Sequence, residues 1–75
     1  ELSPNYAIYE IAMPKKWAGH TVGELDIRRV YHVNVLGIRS EGILHVEVTP
    51  STELQAEESV LILGARETLA KLTAI

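Results

Sequence analysis

Apolar positions along the chain fall into separated runs, and the spacing inside each run predicts an element. Residues 6–13 are rich in Ile, Tyr and Ala on both alternating faces and are followed by Pro14, which predicts a strand closed by that proline. A loop over 15–20 carries Trp17 and Gly19. Thr21 and Glu24 then stand three apart in a capping-box pattern. The Thr21 hydroxyl accepts from a first-turn amide while the Glu24 carboxylate reaches back to the cap N–H. Val22 and Leu25 share one helical face, so a short helix starts here and ends between Asp26 and Tyr31.

Alternation over 33–39 predicts a second strand, with Val33, Val35 and Gly37 on one face and Asn34, Leu36 and Ile38 on the other. Ser40, Glu41 and Gly42 supply a turn, and residues 43–48 pair back as a hairpin that Pro50 stops. Residues 51–58 form a polar connection with room for one helical turn. The apolar run 60–63 reads as a buried central strand broken by Gly64, and 66–74 as a closing helix that packs Leu69, Leu72 and Ala65 on the sheet. The order β-α-β-β-β-α specifies an α+β fold: a four-stranded mixed or antiparallel sheet layered with two helices.

Composition narrows what such a layer can do. A chain of 75 residues is one domain, here 1–75, with a limited core. The absence of cysteine removes disulfides and thiolate metal sites, leaving association with a second copy as the expected supplement to stability. A net charge of −3 argues against a nucleic-acid polymer as partner, yet leaves room for a small phosphate ligand held by one or two cations. No apolar run approaches a membrane span of roughly 20 residues. The first four residues, Glu1 to Pro4, lack the character of a signal peptide and a starting methionine, so the chain reads as a piece of a larger cytosolic protein.

Catalytic chemistry is not signalled. The carboxylates stand singly on turns and helix ends, the pair Glu57 and Glu58 falls in a polar turn, and no histidine has a Ser or Cys partner in a nucleophile pattern. The expectation is a binding module and not an enzyme. His45 and Glu47 alternate on one predicted strand and would give two metal ligands, but no third is signalled and a solvated face is the better reading. Trp17 reads as core or interface. The cluster Asp26, Arg28, Arg29, His32 and Asn34 is distinctive because it sets a guanidinium and an amide at a helix–strand junction beside apolar Val22, Leu36 and Pro50. Arginine offers a phosphate two parallel donors, and an apolar floor suits a flat base. On residue chemistry alone, Arg28 pairing with Glu24 or Asp26 at the surface is the stronger alternative.

The run from Gly19 through Thr21, Gly23, Leu25 and Asp26 to Arg28, then Tyr31 to Ile38, and later Pro50, Leu54 and Glu58 to Gly64, resembles the C-terminal domain of RCK proteins, also called TrkA-C. Pro14 to Trp17 and the Val33, Asn34, Val35 triplet look most like regulatory subunits of Ktr-type potassium uptake systems. Glu57 departs from the family's usual glycine. The resemblance implies a cytoplasmic regulatory lobe, peripheral to the membrane through its transporter, that forms homodimers. It further implies cyclic di-AMP as ligand at the dimer interface and down-regulation of potassium transport. On that resemblance Arg28 and Asn34 contact the phosphates and sugar edge, Val22, Leu36 and Pro50 clamp the adenine, and Asp26 and His32 stand at the rim. Alternatives within the same likeness are a structural dimerisation lobe without ligand, the lobe of a cation–proton antiporter, or a metal sensor using His45 and Glu47.

Overall fold

The computed structural model describes residues 4–73. The elements are β1 (Tyr6–Ala12), α1 (Val22–Leu25), α2 (Ile27–Tyr31), β2 (Asn34–Ser40), β3 (Ile43–His45), β4 (Ser59–Ala65) and α3 (Arg66–Leu72). The strands form one sheet in the order β1-β4-β2-β3, and every strand pairing is antiparallel. The α+β class and the four-stranded sheet are those the sequence predicts, the "mixed" option resolves to antiparallel, and one more helix stands between β1 and β2 than expected.

β4 lies in the middle of the sheet, as its apolar run predicts, but only one of its faces is covered. Val60, Ile62 and Gly64 are buried while Ser59, Leu61, Leu63 and Ala65 are half-buried. Gly64 does not end the strand; it pairs with Ala7 and the ladder continues to Ala65. Its glycine serves a packing purpose instead, because a Cβ there would stand 2.7 Å from Val33 Cγ1. On the covered face the core gathers Trp17, Ile27, Val33, Ile38, Leu54, Val60, Ile62, Leu69 and Leu72. Trp17 belongs to this core, fully buried, with its ring centroid 5.2 Å from that of Tyr31 in an edge-on contact.

The predicted alternation in β2 breaks at one residue. Val35 opposes Ile62 and Gly37 opposes Leu61, so Leu36 is an extra residue in the ladder. Such a bulge reverses the facing of everything beyond it. Ile38 therefore joins Val33 in the core and stands opposite Val60, whereas the sequence pattern puts it with Asn34 and Leu36. Gly37 correspondingly moves to the other side, opposite Leu61. β3 is shorter than expected: pairing stops at Ile38–His45, next to the bulged stretch, and residues 46–48 leave the sheet. His45 and Glu47 are thus not on one strand. Residues 51–58 hold turns and an isolated bridge between Thr21 and Glu53, with no helical turn.

The single helix expected after Thr21 is two short ones. Asp26 takes a left-handed conformation (φ 50°, ψ 52°) that ends α1 and begins α2. Aspartate adopts this region more readily than most residues, because its short polar side chain is tolerated there. α3 is described to Leu72, with Leu69 and Leu72 buried as predicted; Ala74, included in the predicted helix, lies outside the described residues. On the uncovered sheet face Arg39 Nε donates to Glu10 Oε2 at 2.8 Å, and Ser59 Oγ donates to the same oxygen at 2.6 Å. These bonds, that from Arg39 first, hold the Glu10 carboxyl below the usual carboxylate range.

Candidate functional site

A groove of about 670 Å³ opens where α1, α2 and the first half of β2 meet the turn around Pro50. That is within the size range of small-molecule sites. Its backbone frame is tied together by a helix cap, by bonds between distant segments, and by a turn. The Thr21 capping box is present in full: the Glu24 N–H donates to Thr21 Oγ1 at 3.0 Å and the Thr21 N–H donates to Glu24 Oε1 at 2.7 Å. The Val22 N–H donates to the Thr52 carbonyl at 2.9 Å, and the Gly23 N–H donates to the Pro50 carbonyl at 2.8 Å. Thr49 and Thr52 close the opposing turn through the Thr49 N–H, which donates to Thr52 Oγ1 at 3.0 Å.

Gly23 decides how closely these parts approach. A Cβ at this position would sit 2.9 Å from the Pro50 carbonyl oxygen and 3.1 Å from Pro50 Cβ. Only a residue without a side chain lets the α1 backbone rest on the Pro50 turn, and that contact forms one wall of the groove.

Of the residues singled out by sequence, Val22, Asp26, Arg28, Asn34, Leu36 and Pro50 all line the groove. His32 lies outside its lining, at the C-terminal end of α2 in a left-handed conformation, where its backbone N–H donates to the Arg28 carbonyl. The lining also includes Arg29, which the sequence reading named in the same cluster, and Gly23, Ile27, Val33, Val35, Val48, Thr49 and Leu63. Gly23 carried a readable signal, since a glycine inside a helix marks close backbone approach. Val48 carried none, because the sequence places it in a strand that does not extend so far, and Thr49 was assigned no role.

The ion pairing within the groove differs from the surface alternative. Glu24 is engaged by Thr21, whose backbone N–H, and second its side chain, hold the carboxyl below its ordinary range. Asp26 pairs with Arg29, its Oδ2 accepting from Arg29 Nε. Both carboxylates that Arg28 was expected to meet are therefore taken. Among the described residues the Arg28 guanidinium has no ion-pair or hydrogen-bond partner, and neither has the Asn34 amide. The groove thus combines an unpaired guanidinium and a carboxamide with the apolar walls of Val22, Leu36, Val48 and Pro50. Such a set is chemically suited to a ligand with both an anionic group and a flat apolar body. Among the described residues no three His, Asp or Glu side chains gather to hold a metal ion, and no helix is long and apolar enough to cross a membrane.

No curated protein sequence matches the chain significantly. Solved structures with the same fold do. The RCK C domain of the potassium transport protein KtrA in complex with cyclic di-AMP superposes with a TM-score of 0.81 at 23% identity, covering 92% of this chain and 81% of that one. The RCK_C domain dimer of S. agalactiae BusR, also in complex with cyclic di-AMP, gives 0.79 at 21% identity, covering 91% and 92%. The RCK domain of GsuK gives 0.75 at 28% identity over 95% of this chain, which spans only 16% of that protein. The sequence profile of the TrkA-C domain matches residues 6–75, which is nearly the whole chain. The chain belongs to the TrkA-C domain family.

Proposed function

We propose that this chain is a cytoplasmic regulatory lobe that pairs with a second copy and binds cyclic di-AMP in the groove between α1, β2 and the Pro50 turn, thereby down-regulating potassium transport. The observation that carries this reading is the unpaired Arg28 guanidinium beside Asn34, in a groove whose nearest carboxylates are engaged elsewhere. Arg28 is exposed, so its guanidinium can exchange water for an anionic group without first breaking an ion pair. The two structures with cyclic di-AMP are likenesses of fold, and they support the ligand class by analogy.

Arg28 and Asn34 would meet a phosphate and the sugar edge, with Val22, Leu36 and Pro50 against the adenine. Cyclic di-AMP is two-fold symmetric, so two copies of this lobe related by a two-fold axis each offer the same groove to one half of it. Bound at such an interface, the ligand favours one arrangement of the pair over others. It shifts their populations by no more than its difference in affinity for them. A transporter coupled to that arrangement closes as the dinucleotide accumulates.

Isothermal calorimetry of the chain with cyclic di-AMP, cyclic di-GMP and ATP tests the reading. Saturable heat and a raised melting temperature with cyclic di-AMP are expected. Neither heat nor a melting shift with any of the three refutes the ligand. Arg28→Ala should abolish most of the binding while Lys71→Ala, on α3 and away from the groove, leaves it unchanged. Equal affinities for the two variants would remove Arg28 from the site.

A further inference from the structure

We infer that Arg29 is a second phosphate anchor of the groove and that Asp26 is the positioning residue that aims it. The inference rests on the ligand reading above and assigns roles within that site. Asp26 occupies the N-cap position of α2, where an aspartate ordinarily turns its carboxylate onto the helix's own amides. It makes no such bond. Its carboxylate instead holds Arg29 through Nε. A guanidinium carries five N–H donors in a rigid fork, and this bond uses the one on Nε. Among the described residues the Nη1 and Nη2 groups of Arg29 are unengaged.

The outward edge of Arg29 is thus left with the paired donors that match two oxygens of one phosphate. Both members of the pair line the groove, and both are open to solvent, the Arg29 side chain at 77% and that of Asp26 at 51%. So exposed a pair adds little to the stability of the fold, so its members can be changed with little effect on folding. Charge fits as well. Arg28 and Arg29 less the Asp26 carboxylate leave one net positive charge per subunit, and a cyclic dinucleotide brings one negative phosphodiester to each subunit of a two-fold pair. The left-handed turn at Asp26 is what starts α2 afresh, so that Asp26 and Arg29 stand one helical turn apart.

The test is calorimetric titration with cyclic di-AMP at one fixed salt concentration, after melting curves have verified that each variant is folded. Arg29→Ala should weaken binding by roughly ten- to a hundredfold, the loss expected for a hydrogen-bonded charge. Asp26→Gly removes the carboxylate without straining the left-handed backbone. It should weaken binding less than Arg29→Ala, and the double variant should bind no more weakly than Arg29→Ala alone. Arg29→Lys should recover less than half of the loss, because an ammonium cannot be held at one nitrogen and present two others. If Arg29→Ala binds like the parent chain, the anchor is refuted and the ligand reading stands. Tighter binding by Asp26→Gly would mean that the carboxylate only repels the ligand, and additive losses would mean that it touches the ligand itself; either overturns the positioning role. If the parent chain binds no cyclic di-AMP, both readings fall together.

Discussion

Replacing Gly23 by alanine sets two opposed effects against each other, and the structure gives the sign. In an unconstrained helix the change would stabilise by about 1 kcal/mol, since alanine is the better helix former. Here the new Cβ would meet the Pro50 carbonyl oxygen at 2.9 Å and Pro50 Cβ at 3.1 Å, and neither is the mobile end of a side chain. The two segments are also clamped by the bonds from Gly23 N to Pro50 O at 2.8 Å and from Val22 N to Thr52 O at 2.9 Å. Relief therefore requires α1 and the Pro50 turn to separate. Overpacking of this kind costs about 1–3 kcal/mol, and a weakened backbone hydrogen bond adds about 0.5–1.5 kcal/mol. Less the gain in propensity, Gly23→Ala should destabilise the chain by about 0.5–3.5 kcal/mol. Urea unfolding followed by far-ultraviolet circular dichroism, at one protein concentration, measures this. For a domain of this size each kcal/mol also lowers the melting midpoint by about 4–8 °C. A variant as stable as the parent or more so would show that the close approach of α1 to Pro50 does not constrain the fold, and with it the account of the groove wall would go.

Trp17→Ala removes a fully buried side chain from the centre of the core and should cost about 3–5 kcal/mol, a large part of the stability of so small a domain; an unchanged urea midpoint would show that Trp17 is not packed as described. Thr21→Ala removes one half of the capping box and should cost about 0.5–2 kcal/mol, while Thr21→Ser retains most of it; equal midpoints for the two variants would argue that the cap does not hold α1 in place. Glu10 has a folded-state pKa below its unfolded value, so its interactions with Arg39 and Ser59 stabilise the fold above the unfolded value and are lost as the pH falls through the folded one. The stability gap between the parent and Glu10→Gln should therefore close on acidification below the ordinary glutamate value of about 4.3, and a gap constant from neutral pH down to pH of about 3 would refute the linkage.

What could be read in advance, and what could not, follows from how local each cause is. The capping box, the turn at Gly42 and the strands of the ladder arise from neighbours in sequence, and the residues name them directly. The left-handed Asp26 does not: aspartate permits that conformation without requiring it, and the reason for it here is the separate packing of Ile27 into the core while Val22 and Leu25 rest against its edge. The extra residue at Leu36 is equally silent, because an alternating stretch with one residue too many reads as a longer alternating stretch. Leu54 sits in a polar connection where neither its run nor its neighbours signal burial, yet it is fully buried and is tied by backbone bonds to Gly19 and His20. In the groove Arg28 and Asn34 were legible as polar types set beside an apolar junction, although their residue chemistry alone favoured a surface ion pair for Arg28. The partners that leave Arg28 unpaired were not, since the choice of Asp26 between Arg28 and Arg29 depends on where a helix restarts.

The extra residue in β2 also divides the labour of that strand. Ahead of Leu36, Asn34 and Val35 keep step with Leu63 and Ile62 and serve the groove; beyond it, Ile38 and Arg39 keep step with Val60 and Ser59 and carry the hairpin to β3. Each half holds its own alignment with β4, so the single unpaired position works as an expansion joint. Changes in the length or composition of the 40–43 hairpin tip can be absorbed there before they reach the binding end. The mouth of the groove and the hairpin end of the sheet are thereby each set against β4 in a register of their own.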